Sequence, residues 1–477
     1  MNTSLPLRWS GEADKERAGK CYRMLTVQRC FLSVTGSFCL TKIKGVWIMA
    51  NTDRNQRVDS GAILEGDTLT TGKRAVLGLQ HTFTMFGATV LVPIITGMNI
   101  SVALFMAGVG TLLFHFITKK KVPVFLGSSF AFIPPILAAA AAVAAVNGVA
   151  YEAGDAYAEG LAYAQGGIVI AGLVYLVIAG LVQVFGYEKI VSFFPPIVTG
   201  PIIMTIGLLL APTAIDMAQG NWFLAVVSLC TVAAVSIFAK GFIKVLPVLI
   251  GLFVGYMVSI MTGNVDFTPF VEADWFGMPP FQMAKFNLEM IMMVAPVAIV
   301  TVVEHIGDVL AVGATVEKNL VEEPGLSRTL MGDGLATCVS AMFGGPANTT
   351  YSENTGVLAL TKVYNPVVMR VAACFAIILS IVPKLGAFIN TIPTAVVGGI
   401  SIILFGMIAG VGVRTVVENA VDFKKSRNLI IAAVILILGL GGAALPVKMG
   451  ILNFSVSGMA LGAIAGIILN KVLPDLE

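Results

Sequence analysis

Long apolar stretches recur along this chain from about residue 74 to residue 472. A helix needs roughly 20 apolar residues to cross a bilayer, and most of these stretches reach that length. Hydrophobic residues make up 57% of the chain and charged residues 12%, whereas a soluble domain contains about 25% charged residues. Because lipid offers backbone groups no hydrogen-bond partners, such stretches must form helices. The sequence therefore predicts an all-α polytopic membrane protein.

Fourteen segments can be placed on this basis. Eleven have full length, near 74–98, 101–118, 164–186, 190–212, 221–239, 242–262, 289–316, 366–386, 389–411, 427–446 and 450–472. Three are short or broken, at 122–147, 329–345 and 347–361. Lys and Arg collect on the cytoplasmic side of membrane proteins, and with an inside N-terminus nearly all loop lysines and arginines fall inside. We therefore predict a multi-pass protein of the cytoplasmic membrane with both termini in the cytoplasm.

The first 48 residues differ in composition from the rest of the chain. They contain scattered Arg, Lys and Cys and one weak apolar stretch, Cys30–Cys39, which is too short to span a membrane. We interpret residues 1–48 as a non-native or disordered extension, with Met49 as the true start, and residues 49–73 as a cytoplasmic N-terminus. An intact mass that includes Met1 would contradict this interpretation.

Two motifs recur after an interval of seven segments. Gly127–Pro134 in the third segment and Asn348–Gly356 in the tenth are polar, extended runs within apolar segments. Pro195–Gly200 in the fifth segment and Pro393–Gly398 in the twelfth repeat at the same interval. Seven is odd, so the second copy would be inverted, as in secondary transporters with a midplane binding site. We predict two inverted seven-segment repeats; chance similarity of Gly- and Pro-rich segments is the alternative.

Glu304, Asp308 and Glu353 are carboxylates that lie inside the predicted segments. Glu304 and Asp308 are four residues apart on one face of segment 8, and Glu353 lies in the interrupted part of segment 10. A charged carboxylate at membrane depth is costly unless it is paired or faces water, so we expect at least one to hold a movable proton. Glu304 and Glu353 suit the N–H donors of a planar polar solute, with Phe130 and Tyr351 over its faces. A purely structural pair of buried acids is the alternative.

The chain contains three histidines and no metal-binding motif. These are His81, His115 and His305, and neither a His-Glu-x-x-His run nor paired cysteine spacing accompanies them. We therefore predict no metal and no cofactor. His115 is expected at the membrane interface. His81 could be either a packing histidine satisfied by a backbone carbonyl or a partner of the carboxylates.

The run Glu353–Lys362 resembles the signature of the nucleobase/ascorbate transporter family. That signature reads Gln, Glu or Pro, then Asn, any residue, Gly, four residues of any type, Thr, and Arg, Lys or Gly. Leu126–Ile133, Glu304–Gly307 and Asn348–Tyr351 are similar to the members that carry uracil in bacteria. The resemblance covers the chain from about residue 70 to the C-terminus.

This resemblance implies two domains and a homodimer. A core domain would comprise residues 74–186 and 289–386, and a gate domain residues 187–262 and 389–472. Segments 3 and 10 would meet as short antiparallel strands beside the substrate. The implied substrate contacts are Ala88, Ser129, Phe130, Glu304, Tyr351, Ser352, Glu353 and Phe405. The implied proton-coupling residues are Glu304, Asp308 and His81.

Three of these residues depart from the pattern of the uracil-carrying members. Those members often have His at the position of Asp308, Gly at that of Ser352, and in some cases Tyr at that of Phe405. An aspartate accepts hydrogen bonds when ionised and donates one when protonated, so Asp308 could hold the coupling proton differently or favour another base. The departures leave xanthine or hypoxanthine open as alternative substrates.

Together, sequence and resemblance predict a proton-coupled symporter that imports uracil or a related pyrimidine by elevator-like alternating access. A facilitative channel and an intramembrane aspartyl protease are the competing classes. The protease is disfavoured because its Gly-x-Gly-Asp motif needs glycine where His305 and Leu330 stand. The net charge of +3 is spread over loops, which predicts no nucleic-acid partner.

Overall fold

The computed structural model describes residues 28–33, 36–43, 46–50, 62–64, 67–146, 155–449 and 452–474. It divides into two compact units, Met1–Ala62 and Ile63–Glu477. In the first unit, three strands form an antiparallel sheet: β1 (Gln28–Ser33), β2 (Gly36–Ile43) and β3 (Val46–Ala50). Much of the predicted extension, residues 1–48, lies outside the described residues, and its non-native origin stays a prediction.

The second unit is mostly helical. Its helices up to the middle of the chain are α1 (Thr71–Thr96), α2 (Ile100–Ile117), α3 (Ile133–Val146), α4 (Asp155–Phe185), α5 (Tyr187–Val191), α6 (Pro196–Leu209), α7 (Ala211–Gln219), α8 (Trp222–Phe238), α9 (Pro247–Met261) and α10 (Thr268–Glu272). The later helices are α11 (Leu288–Val294), α12 (Ala298–Thr315), α13 (Leu326–Met342), α14 (Ser352–Thr361), α15 (Val367–Ser380), α16 (Pro383–Asn390), α17 (Thr394–Glu418), α18 (Ser426–Leu440) and α19 (Gly458–Val472).

Each predicted segment contains a helix, but the helices differ in length. Among the described residues, 6 helical stretches are long and apolar enough to cross a membrane, and a seventh counts if α15 and α16, bent by 81°, form one span. Five further apolar helices have 10–17 residues. The chain is therefore mostly helical with several apolar spans, and the count of fourteen crossings stays a prediction.

The two interrupted segments meet as short antiparallel strands. Strand β4 (Leu126–Ser128) pairs with β5 (Asn348–Thr350), with Gly127 opposite Thr349. The extended runs are shorter than the sequence indicates, because a 3-10 turn, Phe130–Phe132, follows β4 and helix α14 follows β5. Glu353 consequently lies in the first turn of a helix rather than on a strand.

Glycine is required where the two strands meet. A Cβ atom added to Gly127 would lie 2.3 Å from the ring of Tyr351, which is closer than van der Waals contact allows. The Tyr351 hydroxyl donates to the carbonyl oxygen of Ser128 at 3.1 Å. The tyrosine ring therefore packs across β4 and holds the strand pair together.

A hairpin near the C-terminus was not predicted from the sequence. Strands β6 (Ala444–Met449) and β7 (Leu452–Ser457) pair antiparallel, across the predicted boundary between segments 13 and 14. Helix α19 accordingly begins at Gly458 rather than near residue 450. Apolar windows of this length do not distinguish a strand from a buried helix, so hydropathy alone placed this boundary wrongly.

Thirteen of the nineteen described helices of the second unit pack in two sets. One set contains α1, α2, α3, α4, α13 and α15; the other contains α6, α7, α8, α9, α17, α18 and α19. Glycines allow close backbone approach within each set. A Cβ on Gly334 of α13 would lie 2.8 Å from the Gly172 oxygen of α4, and one on Gly412 of α17 would lie 2.5 Å from the Gly200 oxygen of α6. Movement of these sets as core and gate domains stays a prediction.

Candidate functional site

Two helical turns begin where the paired strands end. Ser129 precedes the 3-10 turn that starts at Phe130, and Tyr351 precedes α14, and neither residue caps its helix with its side chain. The first N–H groups of a helix have no acceptor inside the helix and carry partial positive charge. The strand crossing therefore presents two sets of backbone donors close together.

Helix α12 supplies two carboxylates beside this crossing. It packs against β5 and α14, and the Thr350 hydroxyl donates to Asp308 Oδ2 at 2.6 Å. Glu304 Oε2 is buried and has no hydrogen-bond partner among the described residues. A buried acceptor left unpaired costs about 1–3 kcal/mol. Glu304 is thus poised to accept a hydrogen bond from a bound solute or to hold a proton.

Glu353 lies near the two acids of α12. It stands in the first turn of α14, and α14 packs against α12. Glu353 and Ala88 of α1 line a cavity of about 60 Å³, bounded on the other side by residues of α8, α9 and α17. The cavity therefore lies between the two helix sets.

Open space borders the acids on one side. Gly307, Ser352 and Gly356 are exposed, although they neighbour the three carboxylates in the chain. Apart from chain neighbours and the backbone of the same helix, no atom of the described residues lies within 4 Å of a Cβ added to Gly307 or Gly356. Polar and ionisable groups at membrane depth are tolerated where they face water or a protein-lined cavity. This arrangement suits a solute-accessible cleft.

The aromatic residues predicted for the site occupy different positions. Phe130 is half-buried and packs edge-on against Phe405 of α17, with ring centroids 6.0 Å apart. Tyr351 is 4% exposed and is occupied by its contacts with β4. Phe130 and Phe405 thus stand together where the two helix sets meet. Contact of Tyr351 with a solute stays a prediction.

The serines at the crossing have separate environments. Ser128 Oγ donates to the Thr89 carbonyl oxygen at 3.1 Å. Ser129 Oγ is buried without a hydrogen-bond partner among the described residues, so its hydroxyl is available. Ser352 is exposed at the start of α14. Ser129 and Ser352 therefore lie at the two helix starts beside the strand crossing.

His81 reaches the carboxylate cluster through an amide. Asn354 Nδ2 lies 3.1 Å from His81 Nδ1 and donates to the His81 carbonyl oxygen at 3.2 Å. Asn354 directly follows Glu353, so His81 helps to fix the start of α14 on α1. The sequence left a packing role and a carboxylate-partner role open for His81. Among the described residues, the His81 ring contacts neither a backbone carbonyl nor a carboxylate, and its partner is the side-chain amide of Asn354.

A buried pair of ionisable side chains, His305 and Asp333, was not predicted from the sequence. His305 Nδ1 and Asp333 Oδ2 lie 2.9 Å apart, and both side chains are 0% exposed. The Tyr175 ring packs edge-on against His305. Because His305 faces α13, its neighbours Glu304 and Asp308 are turned toward the strand crossing. Proximity of Asp333 to His305 has no local sequence signal, since the two residues lie on different helices.

The side chain of the remaining histidine, His115, is buried in the protein, and its Nε2 lies 2.9 Å from the Val124 carbonyl oxygen. The polar backbone of the segment leading to β4 provides that partner. The position of His115 at the membrane interface stays a prediction. Within the described residues, no group of three or more His, Cys, Asp and Glu side chains could hold a metal ion.

Comparisons with known proteins identify clear relatives. The model of the permease family matches residues 72–448. The uracil permease of Bacillus caldolyticus is 43% identical over 423 residues, which cover 86% of this chain and 94% of that protein. The probable uracil permease of Haemophilus influenzae is 43% identical over 414 residues, 85% of this chain and 95% of that protein.

One solved structure shows the same fold at low identity. The transmembrane domain of the cyanobacterial bicarbonate transporter BicA aligns with a TM-score of 0.56 and 14% sequence identity. The alignment covers 83% of this chain and 96% of that domain. At this identity the likeness concerns the fold alone.

Proposed function

Because this chain belongs to the permease family, we propose that it imports uracil or a related pyrimidine base across the cytoplasmic membrane together with a proton. Family membership and the apolar helices make it a multi-pass membrane protein. The choice of solute is supported by the packing of α12, which carries Glu304, against β5 and against α14, whose first turn holds Glu353. Relatives of similar length that are named as uracil permeases support it.

The chemistry of the site matches the edge of a uracil ring. Uracil alternates N–H donors and carbonyl acceptors around its ring, and carboxylates accept while backbone N–H groups donate. We assign the ring N–H groups to Glu304 and Glu353 and the carbonyl oxygens to backbone N–H groups at Phe130 and Ser352. Ala88, Ser129, Tyr351 and Phe405 would complete the surrounding surface.

Transport in this proposal uses two moving bodies. Fourteen segments form two inverted repeats, and the helix sets described above serve as core and gate domains. The core carries base and proton past the gate, with both termini in the cytoplasm. The cavity beside Glu353, which lies between the sets, supports this arrangement. The family resemblance also implies a homodimer, which cross-linking in native membranes tests.

Proton coupling follows from the cost of moving charge. An unneutralised acid opposes movement of the core through a low-dielectric region. Glu304 has an unpaired buried oxygen and Asp308 accepts from Thr350, so these two acids are assigned to the coupling proton. His81 contributes by holding Asn354 beside Glu353.

Uptake of labelled uracil into cells that lack their own uracil transporters tests the proposal. We expect accumulation against a gradient that an uncoupler collapses, and stronger competition by unlabelled uracil than by xanthine or hypoxanthine. Stronger competition by a purine would assign the site to purine bases instead. Equilibration without accumulation would indicate a channel, and a chemically altered intracellular base would indicate an enzyme.

A further inference from the structure

Two linkers join helices assigned to the gate domain to helices assigned to the core domain, and the predicted orientation places both linkers on the side opposite the lysine-rich loops. Residues 263–287 join α9 to α11, and residues 381–393 join α15 to α17. In the proposed function, α9 and α17 belong to the gate domain, whereas α11 and α15 belong to the core domain. Both linkers must therefore accommodate any movement of the core relative to the gate.

The first linker is anchored to core elements near its end. Backbone N–H groups in residues 282–285 donate to the carbonyl oxygens of Met342, Phe343 and Ala162 at 3.2, 3.3 and 2.9 Å. Met342 and Phe343 lie at the end of α13, and Ala162 lies on α4. Three backbone hydrogen bonds to two core helices fix this part of the linker to the core.

Lys384 joins the second linker to the first. Its Nζ donates to the Ala273 carbonyl oxygen at 3.2 Å and lies 4.9 Å from the ring centroid of Phe270 and 5.0 Å from that of Trp275. Its backbone N–H donates to the Asp274 carbonyl oxygen at 3.0 Å. A cation held between two aromatic faces and a carbonyl is attracted to all three. The two linkers are thus tied side by side.

Side-chain contacts connect these linkers to the gate. Phe388 of α16 packs edge-on against Tyr256 of α9, with ring centroids 5.0 Å apart, and against Phe270 of the first linker at 6.0 Å. The Tyr256 hydroxyl lies 2.7 Å from Thr391 Oγ1. Side-chain packing of this kind can slide by small steps, as in shear movements between packed helices.

We propose that the two linkers form one strap, residues 263–287 with residues 381–393, which travels with the core domain and slides on the gate at the Tyr256–Phe388 contact. Lys384 is the residue that makes the two linkers act as one. This inference rests on the proposed function, because it assumes that core and gate move relative to each other. It predicts that uracil uptake continues when the strap is cross-linked to the core and is lost when the strap is cross-linked to the gate.

Two cysteine pairs test this in a background whose native cysteines are replaced by serine. Gln282→Cys with Phe343→Cys joins strap and core; Tyr256→Cys with Phe388→Cys joins strap and gate. After cross-linking with a short bis-maleimide, we expect the first pair to keep most of its uracil uptake and the second to lose about tenfold or more. Labelled uracil should still bind to both cross-linked proteins, which shows that they remain folded.

Loss of uptake after cross-linking of the strap–core pair, or full uptake after cross-linking of the strap–gate pair, would contradict the proposal that the two linkers form a strap. Absence of uracil binding and uptake before cross-linking would instead overturn the proposed function, and the strap with it. The same variants without cross-linker serve as the reference for each arm.

Substitution of Lys384 tests the tie between the linkers. We expect Lys384→Met to lower the maximal uptake rate about tenfold with unchanged uracil affinity, since two aromatic contacts and a hydrogen bond are lost. Lys285→Met is the matched control. It removes one ring contact, with Tyr163, and an ion pair with the partly exposed Glu159; exposed pairs contribute little, and the backbone bonds to the core remain. Equal rates for Lys384→Met and the control would contradict the role of Lys384.

Discussion

Glu304 is the side chain to which the proposed function assigns both substrate binding and proton coupling. Its buried Oε2 atom lacks a partner in the described part of the chain, whereas the neighbouring acid Asp308 is satisfied by Thr350. The sequence identified both acids by their depth in an apolar segment, because an ionisable group there stands out against its surroundings. It could not assign their partners, since Thr350 lies on another element and threonines are common throughout the chain.

We expect Glu304→Gln to separate binding from accumulation. The amide oxygen still accepts from a ring N–H but cannot carry the coupling proton, so uracil affinity should fall by about tenfold or less while accumulation is lost. Glu353→Ala removes an acceptor altogether and should abolish both. Equilibrium binding to purified protein and uptake into cells measure the two effects.

Glu289→Gln is the control for these two variants, because Glu289 is an exposed acid in the first turn of α11. It should leave binding and uptake unchanged. Wild-type-like, pH-sensitive accumulation by both Glu304→Gln and Glu353→Ala would show that neither acid has the proposed role.

At the scale of elements, the crossing of β4 and β5 positions both helix starts. Its two strands are only three residues long and depend on tertiary support, including the Tyr351 ring packed on Gly127. The sequence predicted that segments 3 and 10 are interrupted, because runs of Gly, Ser, Asn and Thr do not fit the pattern of an apolar helix. It overestimated their extended length, since propensity does not show where a following helix begins.

Gly127→Ala should destabilise the crossing. The added methyl group would overlap the Tyr351 ring, and overpacking of this kind costs about 1–3 kcal/mol. We expect a lower midpoint of thermal unfolding in detergent. Gly356→Ala, where the added Cβ meets open space, should unfold at the wild-type temperature or above it. Equal midpoints for wild type and Gly127→Ala would mean that the packing is not tight.

At the scale of the whole molecule, the distribution of charge and hydropathy predicts the orientation of the chain in the membrane. Side-chain and backbone packing determines which helices lie together. Lysine-rich loops predict the cytoplasmic side, and the strap lies on the opposite side under that orientation. The two helix sets, by contrast, follow from glycines that let α4 meet α13 and α6 meet α17. Those partners lie far apart in the chain.

Thiol labelling in intact cells tests the orientation. In the cysteine-free background, Phe276→Cys in the first linker should react with a membrane-impermeant maleimide from outside. Glu418→Cys at the end of α17 should react only after the cells are opened, although both positions are exposed. Labelling of Glu418→Cys in intact cells would reverse the predicted topology.

The sequence by itself determined the membrane class, the positions of the apolar segments and the depth of the acids, because these follow from the local cost of placing polar groups in lipid. It also carried the family signature around Glu353. Only the tertiary structure decided which groups meet: His305 with Asp333, and His81 with Asn354, a partner 273 residues away. Such contacts depend on how distant helices pack, and no local pattern of apolar and polar residues records that packing.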